Sequence, residues 1–171
     1  MKYHKIVPAR FIERPNRFIA YVELMGKREK VHVKNTGRCR ELLQDNAQVY
    51  LETSDDKERS TAYDLVMVDK GGRLVNMDSN APNKVVGEWL ADGGLYKDIS
   101  LLRPETTFGH SRFDFYMESA SGRKAFMEVK GVTLENHNVA AFPDAPSQRA
   151  VKHVEELIEA RKQGFEAYLM F

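Results

Sequence analysis

Three ionisable residues in the second half of the chain could together handle a phosphodiester. Glu128 and Lys130 stand two apart in "FMEVKGV" (126–132), inside an otherwise apolar, strand-like run. Strand side chains alternate between faces, so Glu128 and Lys130 share one face, and Met127 and Val129 the other. The run "SRFDFYME" (111–118) repeats the pattern, with Phe113, Phe115 and Met117 on one face and Arg112, Asp114, Tyr116 and Glu118 on the other. The turn-rich link "SASGR" (119–123) predicts an antiparallel hairpin. A hairpin symmetric about Ser121 sets Asp114 opposite Glu128, with Lys130 a diagonal neighbour, and directly opposed residues have Cβ atoms roughly 5 Å apart. Two carboxylates that close repel unless something positive intervenes. A divalent cation such as Mg²⁺ takes one or two carboxylates plus phosphate oxygens, and a neighbouring lysine can serve the attacking water or neutralise charge on phosphorus. The plainer reading is a Glu–Lys ion pair on a solvated strand face with Asp114 unrelated, since a one-residue slip would turn Asp114 away.

The elements that must position these residues are legible from periodicity. "HKIVPARFIER", "RFIAYVEL" and "EKVHVK" read as strands, with Pro8 marking an edge or a bulge. "RCRELL" (38–43) reads as a short helix, followed by the strand "AQVYLETS" and a hairpin in "TAYDLVMVDKGGRLVNM" that turns at Lys70-Gly71-Gly72. Three strands, a helix and further strands suit a five-stranded OB-type barrel, an architecture that often binds nucleic acid. A helix in "APNKVVGEWLADGG", with Val85, Val86, Trp89 and Leu90 at helical spacing and Gly93-Gly94 at its end, opens a second domain. "ENHNVAAFPDAP" reads as a loop. "SQRAVKHVEELIEARKQG" reads as an amphipathic helix with Ser147 as N-cap and Val151, Val154, Leu157 and Ile158 as its apolar stripe. The final strand "FEAYLMF" then completes a βαβ unit with a parallel pair.

The chain has 171 residues, 42% of them hydrophobic, and a single cysteine, Cys39. That count excludes an internal disulfide and a cysteine zinc cluster. Without a membrane-length apolar run or a signal-peptide pattern at the N-terminus, a soluble, reduced, cytoplasmic protein is expected, with no membrane partner. The net charge of +1 hides an asymmetry: residues 1–40 carry +8 and residues 41–171 carry −7. A basic first part points to a polyanion, although solvated strand faces would have the same composition. Asn35-Thr36-Gly37-Arg38 could form an anion site, with Arg40 adding charge. Phe11, Phe18 and Tyr21 could stack on bases, yet aromatics at strand spacing more often fill a barrel core.

The residues "SRFDF", "MEVKGVTL", "FPDAPSQRAVKHVEELIEA" and "NTGRCRELL" together resemble the sugar fermentation stimulation protein A family, in order and over nearly the whole chain. The resemblance implies a mixed α/β chain: an N-terminal OB-like β-barrel (1–79) followed by a domain similar to PD-(D/E)XK nucleases (80–171). It implies DNA as a partner and a regulatory role in sugar (maltose) metabolism, which makes a non-catalytic DNA-binding regulator the alternative to a nuclease. By the nuclease motif, Asp114 matches the first acidic position, and Glu128 and Lys130 match the E-x-K pair, as catalytic residues. The implied cofactor is Mg²⁺, or Mn²⁺ in its place, held by Asp114, Glu128 and the Val129 carbonyl. Independently of the resemblance, the basic residues of the first part and the Asn35–Arg38 turn give the expected nucleic-acid-binding set: Arg14, Arg17, Arg28, Lys34, Asn35, Thr36, Gly37, Arg38 and Arg40. Two departures stand out. Phe113 replaces the motif's proline, and relatives usually continue past the last strand, so a further helix and strand are expected beyond Phe171.

Other polar residues earn plainer readings. Arg149, Lys152 and His153 lie off the expected apolar stripe and read as a solvated helix face. His110 and His137 lack ligand partners at a recognisable spacing, and Glu88 sits on a helix flank. There is no G-x-S-x-G elbow, P-loop or dinucleotide fingerprint.

Overall fold

The computed structural model describes residues 1–56, 58–137, 139–141 and 148–171, which gather into two compact units. The expected FPDAP loop segment and the Ser147 cap lie outside the described residues.

The first unit is a closed barrel. Its strands are β1 (Ile6–Glu13), β2 (Ile19–Leu24), β3 (Lys27–Val33), β4 (Gln48–Thr53) and β5 (Tyr63–Lys70), with β6 (Arg73–Asn76) appended. The order is β3-β2-β1-β4-β5-β6, and β3 pairs back onto β5 in parallel to close the ring, as an OB fold requires. Alternation along the strands fills the interior with Ala20 and Val22, Val31 and Val33, and Val49 and Leu51, and β5 adds Leu65 and Val68 to the same core across a register shift against β4. The β5–β6 hairpin turns at Gly71-Gly72, with φ of 62° and 89°. Such paired positive angles match the twist of the flanking strands and are open to glycine at no steric cost.

Two expectations change here. Pro8 sits on an inner strand: β1 pairs with β4 over Ile6–Arg10 but with β2 only over Arg10–Glu13, so at Pro8 the β2-facing edge needs no donor. The helix expected over 38–43 is a single turn, in which Leu42 and Leu43 N–H groups both donate to the Cys39 carbonyl. Cys39 has a φ of 46°, which no helix continues through, and one turn alone nucleates poorly. Leu42 and Leu43 still join the barrel core.

The second unit is a four-stranded sheet with helices. It comprises α1 (Ala81–Ala91), β7 (Ile99–Phe108), β8 (Ser111–Ser119), β9 (Lys124–Val129), and, after a small antiparallel hairpin of β10 (Leu134–Asn136) and β11 (Val139–Ala141), α2 (Gln148–Lys162) and β12 (Glu166–Met170). The β10–β11 hairpin, where a loop was expected, groups with the first unit. The sheet order is β12-β9-β8-β7, and β12 runs parallel to β9, so β9–α2–β12 is the expected βαβ unit. Leu90 of α1 joins Phe115, Met117, Met127 and Val129 in one core cluster, while Leu157 and Ala160 of α2 join Phe113 and Phe126 in another.

Both helices bury less of their expected stripes than the spacing suggests. On α1 Leu90 is buried and Val86 packs beside it, whereas Val85 and Trp89 are exposed. On α2 the buried face is His153, Leu157 and Ala160, and Val151, Val154 and Ile158 are exposed. The i, i+4, i+7 face that docks contains a histidine and an alanine, which an apolar count passes over. Among the described residues no helix is long and apolar enough to cross a membrane.

Candidate functional site

The β8–β9 register is the one the hairpin symmetry predicts: Phe115 pairs Met127, Tyr116 pairs Phe126, Met117 pairs Ala125 and Glu118 pairs Lys124. Continuing it sets Asp114 against Glu128, but the ladder opens there. Asp114 Oδ2 accepts the Val129 N–H at 2.7 Å, and Oδ1 accepts from Asn83 Nδ2 on α1 at 2.7 Å. The carboxylate replaces a main-chain acceptor and is clamped from two elements. The expected alternation of β8 fails at the same place. Phe113 packs with Phe126 and Leu157, and Phe115 packs with Leu90 and Met127, so these two residues do not share a face.

Glu128 is the buried member of the group, at 3% exposure. Its Oε1 accepts from His153 Nδ1 at 2.7 Å and is also paired with Lys130 Nζ. Its Oε2 is buried with no hydrogen-bond partner among the described residues. Burial raises the Asp114 pKa and the charge of Glu128 adds to the rise, against the pull of the Val129 N–H, Asn83 and Lys130. An orphaned buried oxygen beside a carboxyl that resists ionisation is a site short of positive charge. Lys130 follows β9, its N–H bonded to the Met170 carbonyl at 2.8 Å, and its ammonium returns to Glu128. Val129, singled out for its carbonyl, contributes its N–H to Asp114. Among the described residues no group of three or more His, Cys, Asp or Glu side chains converges on a metal position, so a cation here would rest on two carboxylates and main-chain oxygen.

His153 is the residue that sequence reasoning missed. It is 7% exposed rather than solvated, its ring packs edge-on to Phe113, and its Nε2 lies 3.5 Å from Arg149 Nε. The signal available was its place four residues before Leu157 and seven before Ala160 on one helix face. Lys152 donates to the His110 carbonyl at 3.3 Å, and Glu88 is paired with the terminal ammonium.

In the first unit, the basic residues divide into two kinds. Arg14 is structural: its guanidinium donates to the carbonyls of Gly37 (2.7 Å), Arg38 (2.9 Å), Arg17 (2.7 Å) and Asn35. Lys34 is likewise engaged, 3.0 Å from Asp64, 3.7 Å from Glu52 and 3.8 Å from Asp78. Arg59 and His32 also hold Asp64. Burial alone would raise the Asp64 pKa, but the hydrogen bonds from Arg59, His32 and Lys34 overturn that and hold it well below the carboxylate range. Arg14 and Lys34 therefore leave the set of free cations. Arg28 pairs with Glu13 and lies 4.2 Å over the Tyr21 ring, which accounts for both.

What remains converges. Arg17, Thr36, Gly37, Arg38 and Arg40 line one cavity of about 500 Å³, together with Arg14, Asn16, Phe11 and Leu43. Asn35 shapes the loop by accepting the Gly37 N–H at 2.8 Å. Phe11 is core and touches the cavity wall, while Phe18 is exposed.

Residues 12–77 match the family model described as the SfsA N-terminal OB domain, and residues 80–171 match that of the sugar fermentation stimulation protein RE domain. A sugar fermentation stimulation protein homolog of Clostridium beijerinckii is 54% identical over 171 residues, spanning 100% of this chain and 75% of the relative. Its counterpart in Desulfitobacterium hafniense is 56% identical over 171 residues, spanning 100% of this chain and 74% of the relative. Among solved structures, Pyrococcus furiosus SfsA in complex with Ca²⁺ is similar at a TM-score of 0.87 and 26% identity, covering 99% of this chain and 73% of that one. With both domain models matched in order and relatives sharing more than half of its residues, the chain belongs to the sugar fermentation stimulation protein family.

Proposed function

We propose that the chain is a cytoplasmic DNA-binding protein with a Mg²⁺-dependent, phosphodiester-hydrolysing site on the β8–β9 hairpin. The observation that carries this reading is the buried, unpartnered Oε2 of Glu128 beside the clamped carboxyl of Asp114. The donor set fits a hard cation. Asp114 and Glu128, with the Val129 carbonyl, would hold Mg²⁺, or Mn²⁺ in its place, which when bound supplies charge stabilisation to a phosphodiester. The relative from Pyrococcus furiosus was solved with Ca²⁺, a cation of the same oxygen-seeking class.

The chain's own residues do the rest. His153 fixes Glu128 through Oε1 and leaves Oε2 free. Lys130 carries an ammonium with three donors; turned from Glu128, it can orient the attacking water or neutralise charge on the phosphate oxygens. As water adds to phosphorus it gives up a proton to solvent, the scissile P–O bond breaks, and the leaving oxygen takes a proton from solvent. Arg17, Arg38 and Arg40, which meet no carboxylate among the described residues, supply backbone contacts.

One observation favours a second reading, a non-catalytic DNA-binding regulator of sugar metabolism: Lys130 is already closed onto Glu128, as in a site kept for structure. Cleavage separates the two. Supercoiled plasmid and labelled single strands are incubated with the protein in Mg²⁺, in Mn²⁺ and in chelator, beside Lys130→Ala. Metal-dependent cutting that the variant loses supports the nuclease. Intact binding without cutting on any substrate sinks it and leaves the regulator.

A further inference from the structure

The cavity beside Arg14 is built for more than passing contact with a phosphate backbone. Arg17, Arg38 and Arg40 line it, and among the described residues none of these guanidinium groups meets a carboxylate. Among the described residues no acidic side chain lines the cavity. Arg14 draws the carbonyls of Asn35 and Gly37 onto itself. A trans peptide turns the following N–H groups, those of Thr36 and Arg38, the opposite way. Among the described residues nothing accepts from either. The loop thus shows free donors and little negative charge, which is what an anion requires. The wall also has an apolar part, the edges of Phe11 and Leu43. At about 500 Å³ the cavity is far larger than a phosphate needs and falls within the range of small-molecule sites, roughly 300–1,000 Å³.

From this combination we infer that the cavity is a site for one phosphorylated nucleotide, its phosphate on Arg17, Arg38, Arg40 and the amides of Thr36 and Arg38 and its base against Phe11 and Leu43. The nucleotide is supplied either free or as the 5′-phosphorylated end of a strand. The inference deepens the strand-binding reading and rests on it only for the second source. It requires nothing of Asp114, Glu128 or Lys130.

The test is a binding titration of the whole chain in chelator, which silences the metal site. The free ligands are deoxyadenosine monophosphate, deoxyadenosine, inorganic phosphate and glucose 6-phosphate. The strands are labelled single strands with a 5′-phosphate or a 5′-hydroxyl. Arg38→Gln and Arg40→Gln change exposed side chains, so folding is retained, and Arg161→Gln in the other unit controls for net charge. The expected result is nucleotide binding that exceeds phosphate and glucose 6-phosphate, weakens about tenfold in Arg38→Gln, and is unchanged in Arg161→Gln. Preference for the 5′-phosphate strand assigns the source to strand ends. Nucleotide binding without any strand binding assigns it to free nucleotide, upholding this site while overturning the strand-binding reading. Strand binding indifferent to the 5′-phosphate, with no nucleotide binding, overturns the site and spares the strand-binding reading. Equal binding of glucose 6-phosphate or phosphate overturns the assignment to a nucleotide.

Discussion

His153 Nδ1 meets Glu128 Oε1 at 2.7 Å inside the second unit, joining the buried face of α2 to the end of β9. The contact decides which oxygen of Glu128 is spoken for. With Oε1 taken by His153 and Lys130, the orphaned Oε2 is the group a cation would find. The relationship also explains why α2 docks by a face containing a histidine: the helix is turned to reach the carboxylate.

Removing that contact should therefore be felt twice. His153→Ala is expected to cost about 2 kcal/mol, from a buried acceptor losing its donor. It should also weaken Mn²⁺ binding by about tenfold, as when a group that orients a metal ligand is lost. Thermal melts in chelator read the first effect and a Mn²⁺ titration reads the second. A drop in stability with unchanged Mn²⁺ affinity would reduce His153 to packing.

Asp114 carries a pH signature of definite sign. Its folded pKa is raised, first by burial and then by Glu128. Its contribution to stability is therefore full below the unfolded value of about 3.9 and is lost as pH rises through the folded value. Asp114→Asn abolishes the loss, so in chelator the variant should melt above wild type at neutral pH. Adding Mg²⁺ should raise the wild-type melting temperature and leave the variant unmoved. A variant that melts lower in chelator would show that the clamp by Val129 and Asn83 outweighs the repulsion.

How much of this was legible beforehand depends on which rule each residue obeys. The β8–β9 register from Phe115–Met127 to Glu118–Lys124 followed from period-two alternation and a short turn, both local properties. The barrel followed from the spacing of turns and valines. The switch of face between Phe113 and Phe115 was not legible, because it arises where a side chain replaces the main-chain ladder. His153 was hidden because a polar residue on a helix is scored outward until its partner on another element is known. Lys34 and Arg14 were counted as free cations because a charge count contains no partners, and theirs are a carboxylate 30 residues away and four carbonyls.

The acidic cluster of the barrel gives the opposite pH dependence to Asp114. Asp64 is buried and its folded pKa is depressed by Arg59, His32 and Lys34 despite burial. Its contribution is present above the unfolded value of about 3.9 and is lost as pH falls toward the folded one. Asp64→Asn should cost about 2 kcal/mol at neutral pH, since it takes a buried carboxylate away from Arg59, His32 and Lys34, which are themselves only partly buried. Urea melts at neutral and strongly acidic pH check it: the gap between wild type and variant should narrow in acid. A gap independent of pH would mean that the loss is one of packing.

Arg14→Lys tests whether the loop depends on the guanidinium fork rather than on charge. Lysine has three donors on a point charge and cannot span four carbonyls in fixed directions. The charge is kept, yet the melting temperature should fall and strand binding should weaken more than in Arg38→Gln. Unaltered binding would detach Arg14 from the loop's geometry.

Salt dependence separates the free arginines from the engaged ones. Each phosphate contact contributes a slope of about 0.9 in log affinity against log salt on duplex DNA, and about 0.7 on single strands. Replacing Arg17, Arg38 and Arg40 together by Gln should flatten the slope by the equivalent of two to three contacts, roughly 2 units on single strands. Arg28→Gln should scarcely change it, because that guanidinium already pairs with Glu13 and covers the Tyr21 ring. The two variants differ by charges on the same unit, so bulk charge alone would scale with the number of residues removed. A slope change per residue equal in both would move the contact surface from the cavity to the barrel's basic face at large.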